Sequence, residues 1–273
     1  MRLNLHLVSD STGETLESLV KAGLAQFPDV DAVKHYWPMV RSEGHLDRVL
    51  DEVERMPGLV LYTLVARTVR KRLEARCALL GLPVISVMDP VIRGLERMLG
   101  TTAAWQPGGQ HLMDDAYFGR IDAIDWTMEH DDGLNPQDWD EADLVLVGVS
   151  RSSKTPTSIY LANRGYRVAN MPLVPGRQLP QELFELKAPL IVGLTVSVDR
   201  LGQIRRARVL EENMAGFGAG YIDPDNMTAE VASARRLFAD RGWPVIDVTR
   251  RSIEETAAEL INMLSRRNVL RKS

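Results

Sequence analysis

The stretch "GVSRSSKTPTS" (148–158) holds a lysine followed by a hydroxyl residue at the end of a short polar segment. Gly148 and Lys154 are spaced as in the phosphate-binding pattern G-x-x-x-x-G-K-[ST], Thr155 takes the hydroxyl position, and Ser153 stands where the pattern has its second glycine. A compact loop of this kind turns backbone N–H groups inward, and the N-terminus of the following helix adds partial positive charge. Lys154 supplies a full charge to a phosphoryl oxygen, and the Thr155 hydroxyl suits a Mg²⁺ that bridges phosphates. Glycine serves where φ is positive or a ligand comes close. A serine in that left-handed region costs roughly 1 kcal/mol, which a folded loop can bear. The candidate nucleotide-binding set is Gly148, Val149, Ser150, Arg151, Ser152, Ser153, Lys154 and Thr155, with Thr155 as metal ligand. The alternative is a plain strand-to-helix turn with an exposed lysine.

Acidic and basic groups elsewhere are candidates for the remaining roles. "HDDG" (130–133) offers Asp131 or Asp132 to orient or deprotonate an acceptor hydroxyl, or to hold Mg²⁺ through water, and His130 to touch phosphate. Its other reading is a helix C-terminal turn with Gly133 in the left-handed region. Asp122 and Asp125, three apart, share a helix face as metal ligands or as a solvated acidic surface. No acid-terminated strand evidently flanks the loop, so Asp89, Asp199 and Asp247 stay as further candidates. Arg205 and Arg208 lie one turn apart and read as lid arginines or as a solvated face. "SDSTGET" (9–15) ends the first strand, where α/β folds place ligands, but Ser11 and Glu14 also fit a capping box. Gly216, Gly218 and Gly220 follow no strand, so they make no dinucleotide fingerprint and read as a mobile loop.

These groups need a scaffold. Short apolar runs alternate with amphipathic stretches, as in an α/β protein with largely parallel sheets. Strands are expected at 3–8, weakly at 33–40, and at 58–65 and 82–89. Helices are expected at 14–27, 43–56 and 67–80, and from Pro90 to about Leu99. "GTTAAWQPGGQH" breaks the pattern, so 1–100 reads as an N-terminal α/β domain, 101–111 as linker and 112–273 as a kinase-like P-loop α/β domain. In the second half a helix is expected with Phe118, Ile121, Ile124 and Met128 on one face. Strand 143–147 leads into the loop, and Pro156 fits the first turn of a helix that ends at Gly165. A strand at 189–196, a helix from about 199, a loop over 213–226, a strand at 242–249 and a helix over 252–267 complete the chain. No internal repeat is visible.

Of 273 residues, 45% are hydrophobic and 26% charged, and the net charge is −4, which gives no basic surface for nucleic acid or membrane. A phosphate site must therefore build its own local positive field. Cys77 is the only cysteine, which excludes an intrachain disulfide and a multi-cysteine metal site; it reads as a small buried apolar residue. No run reaches the roughly 18 apolar residues of a membrane span. The first residues turn polar too soon for a signal peptide, so the cytoplasm is expected.

"GVSRSSKTPTSIYLA", "RIDAIDWTMEHDDG" (120–133), "SDSTGET" and "GLTVSVDRLGQIRRAR" (193–208) resemble, in order, segments of the regulatory proteins of pyruvate, phosphate dikinase and phosphoenolpyruvate synthase. The resemblance spans almost the whole chain. It implies a bifunctional serine/threonine kinase and phosphorylase. Such a protein uses ADP to phosphorylate and inactivate its target on a threonine, and inorganic phosphate to remove that group as pyrophosphate. It implies Lys154, Asp131, Asp132 and His130 as catalytic residues. Pyruvate, phosphate dikinase is the favoured partner and phosphoenolpyruvate synthase the alternative; a homo-oligomer is left open. A small-molecule P-loop kinase and a non-catalytic nucleotide-binding scaffold are the readings of other classes.

Overall fold

The computed structural model describes residues 2–107, 115–211 and 219–272. The chain divides into two compact units, Met1–Leu112 and Met113–Ser273. The segment expected as a linker, 101–111, falls at the end of the first unit, and its residues 108–111 lie outside the described residues. Among the described residues no helix is long and apolar enough to cross a membrane.

The first unit alternates β1 (Arg2–Val8), α1 (Glu14–Leu24), β2 (Asp31–Trp37), α2 (Glu43–Arg55), β3 (Leu59–Tyr62), α3 (Arg67–Leu79), β4 (Val84–Ser86) and α4 (Asp89–Leu99). Its four strands are parallel, in the order β2-β1-β3-β4. Helix α2 shows how the pattern becomes packing. Ser42 caps it by accepting from the His45 N–H at 3.2 Å, and Leu46, Val49, Leu50 and Val53 recur at helical spacing and are all buried. Cys77 is buried on α3 beside them, and burial raises its thiol pKa, as suits an inert core residue. The capping box expected at Ser11 and Glu14 does not form. Gly13, at φ 89°, turns the chain into α1, so Glu14 is the first helical residue instead of the third, and the Ser11 N–H is donated to Ser9 Oγ.

The second unit runs α5 (Asp115–Glu129), β5 (Leu144–Val149), α6 (Lys154–Ala162), β6 (Val168–Leu173), α7 (Glu182–Glu185), β7 (Leu190–Thr195), α8 (Val198–Glu211), α9 (Pro224–Arg241), β8 (Val245–Asp247) and α10 (Ile253–Lys272). Short 3₁₀ turns at Asp131–Gly133, Pro136–Glu141 and Ala219–Tyr221 join them. This sheet is also parallel, in the order β6-β5-β7-β8, the same second-first-third-fourth order as in the first unit. β5 is buried at every position, as a central strand covered on both faces must be. Helices α5 and α10 pack against α6, and α9 packs on β5 and β7.

The structure corrects the sequence reading here. β6 was not anticipated, because Asn170 and Pro172 interrupt its apolar run. Helix α9 begins inside the segment expected as the 213–226 loop, capped by Asp223, whose side chain accepts from the Asp225 and Asn226 N–H groups. Gly216 and Gly218 lie outside the described residues. On α5 the shared apolar face is largely solvent-facing: Phe118, Ile121 and Met128 are exposed and Ile124 is half-buried, while Ala123 and Thr127 are buried. Thr127 Oγ1 accepts the Val168 N–H at 3.0 Å and so ties α5 to the start of β6.

Gly193 in β7 sets the approach of α9: a Cβ there would lie 2.5 Å from the Phe238 ring. Gly193→Ala is expected to destabilise the protein by about 1–3 kcal/mol. Urea unfolding checks this, and an unchanged midpoint would refute the tight β7–α9 contact.

Candidate functional site

β5 occupies the point in its sheet where strand order reverses, since β6 lies to one side and β7 and β8 to the other. Open α/β sheets bind ligands outside the carboxyl end of such a strand. Here that end is the loop 148–153. Gly148 is required by close approach: a Cβ on it would sit 2.6 Å from both the Leu194 carbonyl oxygen and Ser152 Oγ. The chain then turns through Arg151 (φ 74°) and Ser153 (φ 62°), both left-handed, into α6. Ser153 is thus the N-cap residue in the conformation its glycine counterpart would favour.

The loop closes on the Val149 carbonyl. That oxygen accepts from the Ser152 N–H (3.3 Å), the Ser152 hydroxyl (2.9 Å) and the Lys154 ammonium (3.1 Å). Lys154 is 5% exposed. Burial pushes its pKa down to about 8, Asp132 and Asp131 pull the other way, and Arg151 and Arg205 reinforce the lowering. The first-turn N–H groups of α6 have no partner within the helix, which leaves them for an anion.

The "HDDG" turn meets the loop from the β6 side. Asp131 accepts from the Thr155 hydroxyl at 2.9 Å and from the Asn170 side-chain amide. Asn170, fully buried on β6, also accepts the Asp132 N–H at 3.2 Å and donates its own N–H to the His130 carbonyl at 3.3 Å. One buried amide therefore positions the whole turn. Asp132 is held at φ 52° with its side chain exposed. Sequence reasoning missed Asn170, although a lone asparagine inside an apolar strand was the available signal.

Other expectations fare differently. His130 does not face the loop through any contact it makes. Its Nδ1 lies 2.6 Å from the Trp126 carbonyl, its ring stacks on Trp126, and Nε2 is 3.8 Å from Asp138. At 3% exposure it packs inside the fold, and none of these side-chain contacts is with the loop. Arg205 is neither a lid nor a solvated arginine. It is 1% exposed, pairs with Glu230 of α9 through both terminal nitrogens (3.2 and 2.6 Å), and donates to the Tyr221 carbonyl (2.9 Å). Arg208 is half-buried on the same helix. Asp122, Asp125 and Asp199 are exposed, Asp89 pairs with Arg70, and Asp247 accepts from Thr249. Among the described residues no three His, Cys, Asp or Glu side chains converge on a metal position. In the first unit, Ser9, Asp10, Ser11 and Thr63 line a cavity of about 250 Å³ at the strand ends. There the Asp10 carboxylate accepts the Val65 N–H, and Ser9 Oγ accepts from Thr63. A larger cavity, about 840 Å³, lies between the segment after β6 and α9 and is not lined by the 148–153 loop. Chemistry, not volume, marks the candidate site.

A parallel α/β unit whose central strand ends in a buried lysine, a helix N-terminus and a hydroxyl–carboxylate pair has the form of a phosphoryl-transfer protein. The family model described as kinase/pyrophosphorylase matches residues 5–261, and the chain belongs to that family. A protein of Rhizorhabdus wittichii is 59% identical over 268 residues, covering 98% of this chain and 97% of its own. One of Caulobacter vibrioides is 52% identical over 264 residues, covering 96% and 83%. Both carry the provisional name pyruvate, phosphate dikinase regulatory protein.

The lowered pKa of Lys154 has a measurable sign. The ammonium is present below about pH 8 and lost above it. Affinity for pyrophosphate should therefore fall as pH rises through about 8, relative to a Lys154→Arg variant measured at each pH, whose guanidinium stays charged. Calorimetric titration from pH 6.5 to 9.5 checks this. Parallel curves for the two proteins would show that Lys154 does not meet the anion.

Proposed function

We propose that this chain is a bifunctional protein serine/threonine kinase and phosphorylase that switches pyruvate, phosphate dikinase off and on. ADP is the phosphoryl donor in one direction, and inorganic phosphate is the acceptor in the other. The observation that carries this reading is the hydrogen bond from Thr155 to Asp131 beside buried Lys154 at the start of α6. It assembles, from residues 24 positions apart, a hydroxyl, a carboxylate and a cation where a diphosphate would rest. The names of the relatives supply the target.

Thr155 and Asp131 offer only hard oxygen donors, which fit Mg²⁺, and phosphate oxygens and water would complete its shell. When bound, the ion neutralises charge on the phosphoryl oxygens. The chain's own groups do the rest. The loop amides and Lys154 hold the β-phosphoryl group of ADP, and Lys154 exchanges the Val149 carbonyl for a phosphoryl oxygen. Asp131 is committed to Thr155 and Asn170, so Asp132, whose carboxylate is exposed, takes the proton of the target threonine. The threonine oxygen bonds to the β-phosphorus, the bond from that phosphorus to the bridging oxygen breaks, and AMP leaves. In the other direction an oxygen of inorganic phosphate bonds to the phosphothreonine phosphorus, the threonine C–O–P link breaks at phosphorus, Asp132 returns the proton, and pyrophosphate leaves. Both transition states spread charge over the same equatorial oxygens, so one cradle serves both.

Incubation with Mg²⁺, ADP and purified dikinase should yield phosphothreonine and AMP, and phosphate with the phosphorylated dikinase should yield pyrophosphate. Lys154→Ala should depress both rates about a hundredfold or more. Full phosphorolysis by a variant that has lost kinase activity would contradict a shared phosphate site. Silence of the wild type in both directions would contradict the reading itself.

A further inference from the structure

On the opposite side of the loop from Asp131, a second cavity opens, of about 330 Å³. Arg151 and Ser153 of the loop form one wall, Arg200 of α8 another, and Arg250, Arg251 and Ser252, which follow β8, the third. Among the described residues no acidic one lines it. Among the described residues, Arg151, Arg200 and Arg250 make no ion pair, whereas Arg251 pairs with Glu259. Arg151 also carries a buried Nε with no hydrogen-bond acceptor, in a left-handed backbone conformation that the loop imposes. Val196, Ile204 and Val248 add an apolar floor. In a chain of net charge −4, arginines without an ion-pair partner among the described residues, gathered beside the loop, make a local positive field.

We propose, building on the function above, that this cavity is the subsite for the leaving group of the kinase reaction and for the attacking group of phosphorolysis. The sheet order carries the argument. Asp131 and Asn170 lie on the β6 side of β5, and the arginine cavity lies at the ends of β7 and β8 on the other. In-line displacement places attacking and leaving oxygens on opposite sides of the phosphorus. With the threonine approaching from the aspartates, the far side must receive the α-phosphate of AMP in one direction and inorganic phosphate in the other. Both are phosphate anions at the same position. In phosphorolysis two anionic phosphates must be brought together, and the arginines offset that repulsion. The volume falls within the roughly 300–1,000 Å³ range of small-ligand pockets. The apolar floor and the guanidinium planes suit a nucleoside base when AMP is the occupant, and that space stays vacant when inorganic phosphate is. The same pocket thus accepts two co-substrates that share only a phosphate group.

The test uses Arg200→Gln and Arg250→Gln, singly and together; both side chains are exposed, so folding is spared. The double variant should raise KM for inorganic phosphate in phosphorolysis and KM for ADP in the kinase reaction, each about tenfold or more. KM for the protein substrate should stay the same, and Arg250→Lys should recover part of the loss. Calorimetric affinity for AMP should fall in parallel. Unchanged KM values for both small co-substrates overturn the proposal. So does a rise confined to the protein substrate, which would make the cavity a docking surface for the target. If wild-type protein catalyses neither direction, the proposed function fails and the AMP titration decides alone. Loss of AMP affinity in the double variant then upholds the anion subsite, and undiminished affinity, or no AMP binding by the wild type, overturns it.

Discussion

A lysine ammonium held inside the protein, against the carbonyl of the strand residue five positions before it, is the constraint on which the second unit is built. A buried cation is tolerated only when it is solvated by the protein. Val149 supplies the carbonyl, and the two aspartates of the 131–133 turn supply the compensating field. Both depend on neighbours. The carbonyl is fixed because β5 is paired along its length with β6 and β7. The turn is fixed because Asn170, fully buried in β6, binds it at three backbone and side-chain positions.

The loop was legible because it is contiguous: spacing from Gly148 to Thr155 encodes a turn and a helix start within a single stretch of chain. The left-handed conformation at Ser153 follows from that same local pattern. The alternation of strands and helices was equally readable, and both sheets are parallel as it implies. What could not be read was pairing across distance. Thr155 meets Asp131, and Arg205 meets Glu230, through tertiary packing that no spacing announces. Which side of α5 is buried was not legible either: Ala123 and Thr127 go in, Thr127 bonded to the Val168 N–H of β6, while the bulkier Phe118 and Met128 stay out. Helix α9 was readable after the fact: Asp223 and Pro224 mark its start, and Met227, Val231, Ala234 and Phe238 form its buried stripe.

The two sheets share one strand order although the sequence shows no repeat. Each therefore has a reversal point at its first strand, and a polar segment leaves each one. The two segments are used in unlike ways. In the first unit Ser9 and Asp10 spend their side chains tying strand ends together. In the second, Lys154 is held by the Val149 carbonyl and Thr155 by the Asp131 carboxylate, contacts that the function proposed above exchanges for phosphate and metal. Equal topology supplies equal positions, and the side chains decide whether a position becomes a brace or a site.

The Val149 carbonyl adds a consequence for energetics. Because the loop solvates its own cation through this carbonyl, the phosphate of the function proposed above has to displace an internal dipole. Occupancy is then a substitution, and its free energy is a difference between two good contacts, smaller than either.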